Sequence, residues 1–202
     1  KGDHVIFSFR PNCGYCRYCA SGSSVLCIGH NDKPRHMMHD GTTRTKLNGE
    51  PVYQMARIGT FAEMVVCPAE QLVSVRKDLP WTHAAIIGCS VATGVGAAVR
   101  HAKVEAGSSV VVVGVNIVQG ARLAGAKTII AVDLLDNKLQ MATKFGATHI
   151  INGSREEVVK RVREITGGLG ADYSFDAIGT AKTTEQIIDC LAPAGHATIV
   201  GI

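Results

Sequence analysis

Residues 110–133 read VVVVGVNIVQGARLAGAKTIIAVD, and the two apolar runs inside this stretch decide the fold. Val110 to Val113 and Thr128 to Val132 are continuous, rich in β-branched residues, and end in Gly114 and Asp133. Short runs without polar alternation are expected for central parallel strands covered on both faces. Helical patterns alternate with strands from there on. Asp136 is placed to cap a helix carrying Leu139, Ala142 and Phe145, with Gly146 at its end. A strand at His149 to Ile151 follows, and Ser154 with Glu157 reads as a capping box ahead of the stripe Val158, Val162 and Ile165. Then come a strand at Tyr173 to Ile178, a helix around Glu185 to Leu191, and, past Pro193-Ala194-Gly195, a strand at Ala197 to Val200. Strict alternation with right-handed crossovers gives an α/β fold with a doubly wound parallel sheet, the dinucleotide-binding architecture.

Such a fold carries Gly-x-Gly-x-x-Gly between its first strand and helix, but here Val113-Gly114-Val115 runs straight into Asn116-Ile117-Val118-Gln119-Gly120. Only Gly114 and Gly120 remain of the fingerprint, too few for the tight turn and close backbone approach that a pyrophosphate needs. Asp133 ends the second strand, where a carboxylate accepts hydrogen bonds from the adenosine ribose and repels a 2′-phosphate, which favours NAD over NADP. Its other reading is a helix N-terminal acid. Lys138 borders the same ribose or is a solvated helix lysine.

Upstream of Pro80 the chain is a small β-rich unit, with short strands expected at Val5 to Phe9, Phe61 to Val66 and Leu72 to Val75. The polar segment Ile28 to Glu50 reads as surface loop, and its His30, His36 and His39 match no ligand spacing. After Pro80 the pattern changes to Ala and Gly with helical spacing, so the expected units are residues 1–90 and 91–202. Within the first, CGYCRYCASGSSVLC from Cys13 to Cys27 spaces four thiols as Cys-x2-Cys-x2-Cys-x7-Cys. Cys13, Cys16, Cys19 and Cys27 can converge on a tetrahedral Zn²⁺ with no open position, which makes the site structural; disulfides or unrelated buried thiols are the alternatives. Cys89 lies where one unit hands over to the next, where ligand clefts form, although a lone cysteine is more often core. Cys67 and Cys190 read as small buried hydrophobes.

The 202 residues are 46% hydrophobic and carry a formal charge of +4 spread along the chain, which suggests neither a nucleic-acid nor a membrane partner. The longest uncharged run, Ala84 to Val99, falls short of the roughly 18 to 20 apolar residues of a membrane span. Seven cysteines, four of them at metal spacing, suit a reducing compartment and hence the cytoplasm. The first residues already read as a turn entering a strand, so the chain is expected to begin within a domain.

Taken together, GDHVIF, the four-cysteine lobe, GTFAEMVV, IIGCSVATGVGAA, QGARLAGAKTIIAVD and FDAIG resemble the zinc-dependent medium-chain alcohol dehydrogenases along the whole chain, nearest to the bacterial class III, thiol-adduct-oxidising branch. The resemblance implies a Rossmann domain preceded by part of a GroES-like catalytic domain. Cys13, Cys16, Cys19 and Cys27 match the structural zinc ligands, and Cys89 one of three protein ligands of a catalytic zinc. Thr93 matches a residue beside the nicotinamide, and Phe9 a substrate-pocket wall. Gly114 and Val115 match the start of the dinucleotide loop, Asp133 and Lys138 the ribose contacts, and Ile178, Gly179, Val200, Gly201 and Ile202 further cofactor contacts. It also implies that the other catalytic-zinc ligands and the proton relay lie upstream of Lys1. The strands that pair subunits into a dimer or tetramer would follow Ile202, and about five residues would be lost between Val115 and Asn116. The implied reaction is hydride transfer between a small alcohol, aldehyde or thiol adduct and NAD. Two rivals stay open, a zinc-ribbon-like binding module without catalysis and a zinc-free reductase of the same fold.

Overall fold

The computed structural model describes residues 1–29, 34, 36–114 and 117–201. His30, Val115, the junction with Asn116, and Ile202 lie outside these residues. The chain divides into two compact units, Lys1–Cys89 and Ser90–Ile202.

In the first unit, β1 (His4–Phe7) is followed by α1 (Arg17–Ala20), the strands β2 (Thr45–Leu47) and β3 (Glu50–Val52), and β4 (Leu72–Val75). β1 pairs antiparallel with β4, Phe7 opposite Leu72. Beside this ribbon the buried Gln71 donates from Nε2 to the carbonyls of Ser8 at 3.0 Å and Ala56 at 2.9 Å, tying two loops to the strands. The segment expected to be plain surface loop contains β2 and the turn of a hairpin that it forms with β3. Asn48 (φ 52°) and Gly49 (φ 90°) supply the two positive φ angles that a tight hairpin turn requires. The strand expected over Phe61 to Val66 does not form. Phe61 and Met64 are exposed, so this segment lacks the half-buried face that holds a strand in a sheet.

Helical residues from Trp81 to His101 carry the chain across the division, beginning with α2 (Trp81–Ile86), passing a π-helical turn at Ile87–Val91, and continuing as α3 (Ala92–Gly96) and a second π-helical turn. The helix is 21 residues long and its most apolar 18-residue window has a mean hydropathy of 1.5, which by length and composition alone would suffice to cross a membrane. The helix extends past both ends of the uncharged run, and a core helix passes the same test of length and composition. In the second unit its Gly94 and Ala98 are buried, and a Cβ on Gly120 would lie 2.8 Å from the Gly94 carbonyl oxygen. Only glycine permits so close a helix crossing.

The second unit continues with β5 (Ser109–Val113), α4 (Val118–Leu123), β6 (Thr128–Asp133), α5 (Asp136–Phe145), β7 (His149–Asn152), α6 (Val158–Ile165), β8 (Ala171–Asp176), α7 (Ala181–Asp189) and β9 (Leu191–Ile199). The strands form one parallel sheet in the order β7-β6-β5-β8-β9, with Val111 opposite Ile130 on one side and Ser174 on the other. Val110, Val112 and Phe175 pack with Ala98 of the second π-helical turn and Val118 and Ala121 of α4 on one face; Val111, Val113, Ile130 and Ile151 pack with Val162 and Ile187 on the other. The sheet is therefore buried on both faces, as the apolar runs require.

Helix starts depart from expectation. Asp136 is the first residue of α5, not its cap, and its carboxylate accepts from Asn152 Nδ2 and Arg155 Nη2, both at 2.6 Å. Gly146 does end α5, with φ 117°. The Ser154–Glu157 box is not made, because Ser154 Oγ donates to Asn152 Oδ1 at 2.6 Å and Glu157 makes no side-chain cap bond. The capping box that exists joins Thr180 and Thr183 and starts α7 at Ala181, ahead of the expected Glu185. β8 stops at Asp176 rather than Ile178, and β9 begins at Leu191 rather than Ala197.

Candidate metal and cofactor sites

In the first unit, the four ligand atoms of Cys13, Cys16, Cys19 and Cys27 all lie within 4.8 Å of one another. Short loops and the single turn of α1 bring them together, and backbone N–H groups point inward: Cys13 N–H donates to Cys27 Sγ and Cys16 N–H to Cys13 Sγ, each at 3.3 Å. The Cys16 thiol is pulled down to about 6, chiefly by the backbone of Cys19 and Ile28. Cys19 is pushed up to about 12 by burial and by the sulfurs around it. The crowding that opposes a set of thiolates is what a divalent cation relieves. The 3.6 Å between the sulfurs of Cys16 and Cys19 and the 4.0 Å between those of Cys16 and Cys27 bracket the sulfur separation of about 3.8 Å that a tetrahedral zinc with Zn–S near 2.3 Å implies.

Cys89 closes the same unit. Its thiol is exposed, not core, and sits in the π-helical turn. A Cβ on Gly88 would lie 2.7 Å from the Phe7 carbonyl oxygen, so glycine lets this turn press against the end of β1. That approach sets Cys89 and Phe9 on the wall of one apolar cavity of about 560 Å³, with Met55, Ile58, Phe61 and Trp81 among its other lining residues. π-helical turns of this kind recur at functional sites. Cys190 is fully buried and burial pushes its thiol up to about 11, whereas Cys67 is only partly buried.

In the second unit, chain connections leave β5 in opposite directions, to β6 and ultimately to β8, so the crevice beyond the strand ends of β5 and β8 is the topological switch point where open α/β sheets bind ligands. Gly114 (φ 95°) leaves β5 there, and a Cβ on it would lie 3.0 Å from Ala177 Cβ and 3.4 Å from Ile178 Cδ1. Ile178 is exposed, Gly179 has φ 85°, and Val200 with Gly201 leaves β9 alongside them. At the end of β6, Asp133 Oδ1 accepts from the N–H groups of Leu134 and Leu135 at 2.8 and 3.1 Å, and Oδ2 faces Lys138 Nζ at 3.9 Å. This fixed carboxylate with one oxygen turned to a lysine fits a ribose diol. Thr93 is exposed on α3.

Residues 112–202 match the family model described as "Zinc-binding dehydrogenase", and residues 1–77 match the "Alcohol dehydrogenase GroES-like domain". The whole chain aligns with the S-(hydroxymethyl)glutathione dehydrogenase of Paracoccus denitrificans at 39% identity, covering 57% of that protein. It aligns likewise with the class-3 alcohol dehydrogenase of Cereibacter sphaeroides at 36% identity and 57% coverage of that protein. The chain belongs to the zinc-dependent medium-chain alcohol dehydrogenase family. Among solved structures, an alcohol dehydrogenase zinc-binding domain protein from Burkholderia ambifaria superposes with a TM-score of 0.86 at 35% identity, over 99% of this chain and 56% of that one. Benzyl alcohol dehydrogenase from Acinetobacter calcoaceticus follows with 0.80 at 28%, over 99% and 55%. The chain thus spans little more than half the length of the relatives it matches.

Within this medium-chain dehydrogenase, sequence reading missed the cavity partners of Cys89. Phe61 and Trp81 stand far from Phe9 along the chain, and no spacing signals that they meet. It also passed over Asp176, which FDAIG contains but no periodicity marks.

Proposed function

We propose that this chain supplies the structural zinc lobe, a wall of the substrate pocket and the cofactor-binding unit of an NAD-dependent alcohol dehydrogenase. The observation that carries the reading is the exposed Cys89 thiol, set with Phe9 on an apolar cavity by a π-helical turn. When bound, zinc lowers the pKa of an alcohol, and NAD takes up the hydride from its carbon. Cys89 serves as one thiolate ligand of that catalytic ion, and the cavity excludes water from the alcohol carbon. Thr93 lies beside the nicotinamide. Asp133 and Lys138 hold the adenosine ribose, while Gly114, Ile178, Gly179, Val200 and Gly201 line the crevice beyond the strand ends. The closed four-thiolate lobe holds its zinc for stability.

The names of the relatives support an alcohol, an aldehyde or a thiol adduct such as S-(hydroxymethyl)glutathione as the substrate class. Seven free cysteines support a reducing, cytoplasmic setting, and the working form is a homo-oligomer. Units 1–90 and 91–202 act as catalytic and cofactor domains.

The test is Cys89→Ala in the whole enzyme. Zinc content should fall from two to one per subunit and turnover should be abolished, with the melting temperature kept because the structural lobe is separate. Retention of both zincs and of most activity would refute the assignment.

A further inference from the structure

The geometry points to Asp176 as the positioning residue of the cofactor crevice, holding both backbone segments that wall its β8–β9 side. Its side chain is fully buried. Oδ1 accepts from the N–H groups of Ile178 at 2.9 Å and Gly179 at 3.1 Å, and Oδ2 from the hydroxyls of Thr183 at 2.9 Å and Thr184 at 2.8 Å. Its own carbonyl accepts from Val200 N–H at 2.8 Å and Gly201 N–H at 3.0 Å. The two segments touch: a Cβ on Gly201 would lie 2.4 Å from the Ile178 carbonyl carbon and 2.5 Å from the Gly179 nitrogen. One residue therefore fixes the loop leaving β8 through its side chain and the end of β9 through its main chain.

A buried carboxylate persists only when its oxygens are satisfied. Burial alone would raise its pKa, but the two N–H groups and two hydroxyls outweigh that and hold the carboxyl below the usual carboxylate range. An apolar residue could fill the same space in the sheet; it could not dictate where Ile178 and Gly179 go. Dinucleotides lie across the switch point, one half on each side. With Asp133 marking the adenosine side at β6, Asp176 governs the opposite half. The inference rests on the cofactor reading above.

The experiment is calorimetric titration of the protein with NAD and, separately, with ADP, which lacks the nicotinamide half. Asp176→Ala should weaken NAD about tenfold or more, as expected for loss of the bonds that fix the loop, while ADP affinity stays within about twofold. Asp176→Asn should restore NAD binding to within about threefold, since its Oδ1 still accepts from both N–H groups and its amide can donate to the threonine hydroxyls. Thr184→Val, which leaves the Thr180–Thr183 box intact, should give a smaller loss of the same kind and serves if Asp176→Ala does not fold. NAD affinity unchanged in both Asp176→Ala and Thr184→Val would overturn the positioning role. A parallel loss of NAD and ADP, unrescued by Asn, would overturn it too, since that reports general damage to the sheet. A wild-type protein that binds ADP but not NAD would refute the inference alone, and one that binds neither would refute the cofactor reading beneath it.

Discussion

Asp133 divides its work between its two oxygens: Oδ1 is fixed by the N–H groups of Leu134 and Leu135, and Oδ2 faces Lys138. A carboxylate held this way attracts ribose hydroxyls and repels a phosphate. Asp133→Ser should therefore lower kcat/KM with NAD and raise the ratio of NADP to NAD efficiency about tenfold or more, the worth of roughly 1.5 kcal/mol in a charge-assisted contact. An unmoved ratio in steady-state kinetics would exclude the ribose role. Single residues with a local signature were legible in the sequence: the spacing of Cys13, Cys16, Cys19 and Cys27 announced their convergence, and the apolar run before it announced that Asp133 ends a strand. Asp176 was not, because its partners Thr183, Thr184, Val200 and Gly201 lie up to a strand and a helix away. Phe61 and Trp81 escaped for the same reason, since aromatic residues on a cavity wall leave no periodic trace.

Elements with dense apolar runs were readable, and those held by polar contacts were not. β5 and β6 declared themselves because burial on both faces demands unbroken Val and Ile. The hairpin of β2 and β3 hid behind three-residue, fully exposed strands, although Asn48-Gly49 carried its turn signal. Ser154 looked like a cap, but Asn152 captured its hydroxyl, a competition between side chains that spacing cannot resolve. At the start of the sheet, Asp172 Oδ2 accepts from Ser109 N–H and Ser109 Oγ, each at 2.7 Å, and Asp172 N–H donates back to Ser109 Oγ at 3.0 Å, clasping β5 to β8. Hydrogen bonds from Ser109 hold the Asp172 carboxyl below the usual carboxylate range. A folded-state pKa lowered in this way adds stability above the ordinary carboxylate pKa of about 3.9, and that stability is lost as pH falls through the folded value. Asp172→Asn should cost about 1 kcal/mol at pH 7 and should lose less melting temperature than the wild type between pH 7 and pH 3. Parallel pH profiles in thermal melts would contradict the clasp.

Across the whole molecule, two compact units each carry their own features: four converging thiols and an apolar cavity in Lys1–Cys89, the crevice at the switch point of the sheet in Ser90–Ile202. The doubly wound parallel sheet followed from strict alternation of strand and helix, whereas the strand order that places the crevice is not written in that alternation. The chain between β1 and Pro80 was harder to read because it buries few side chains and draws its shape from turns and thiols. A metal held by the four thiols would there do the work of a core, since small, loop-rich units rarely bury enough apolar surface to hold themselves. Metal analysis of the purified protein beside its thermal melt decides whether the four-cysteine lobe holds zinc. Zinc bound through these four thiolates is expected, with Cys16→Ser losing it and melting about 5 °C or more below the wild type, while Cys89→Ala leaves the lobe's zinc in place. A protein that carries no zinc, or a Cys16→Ser variant that keeps its full complement and melts unchanged, would rule out a structural zinc in the lobe.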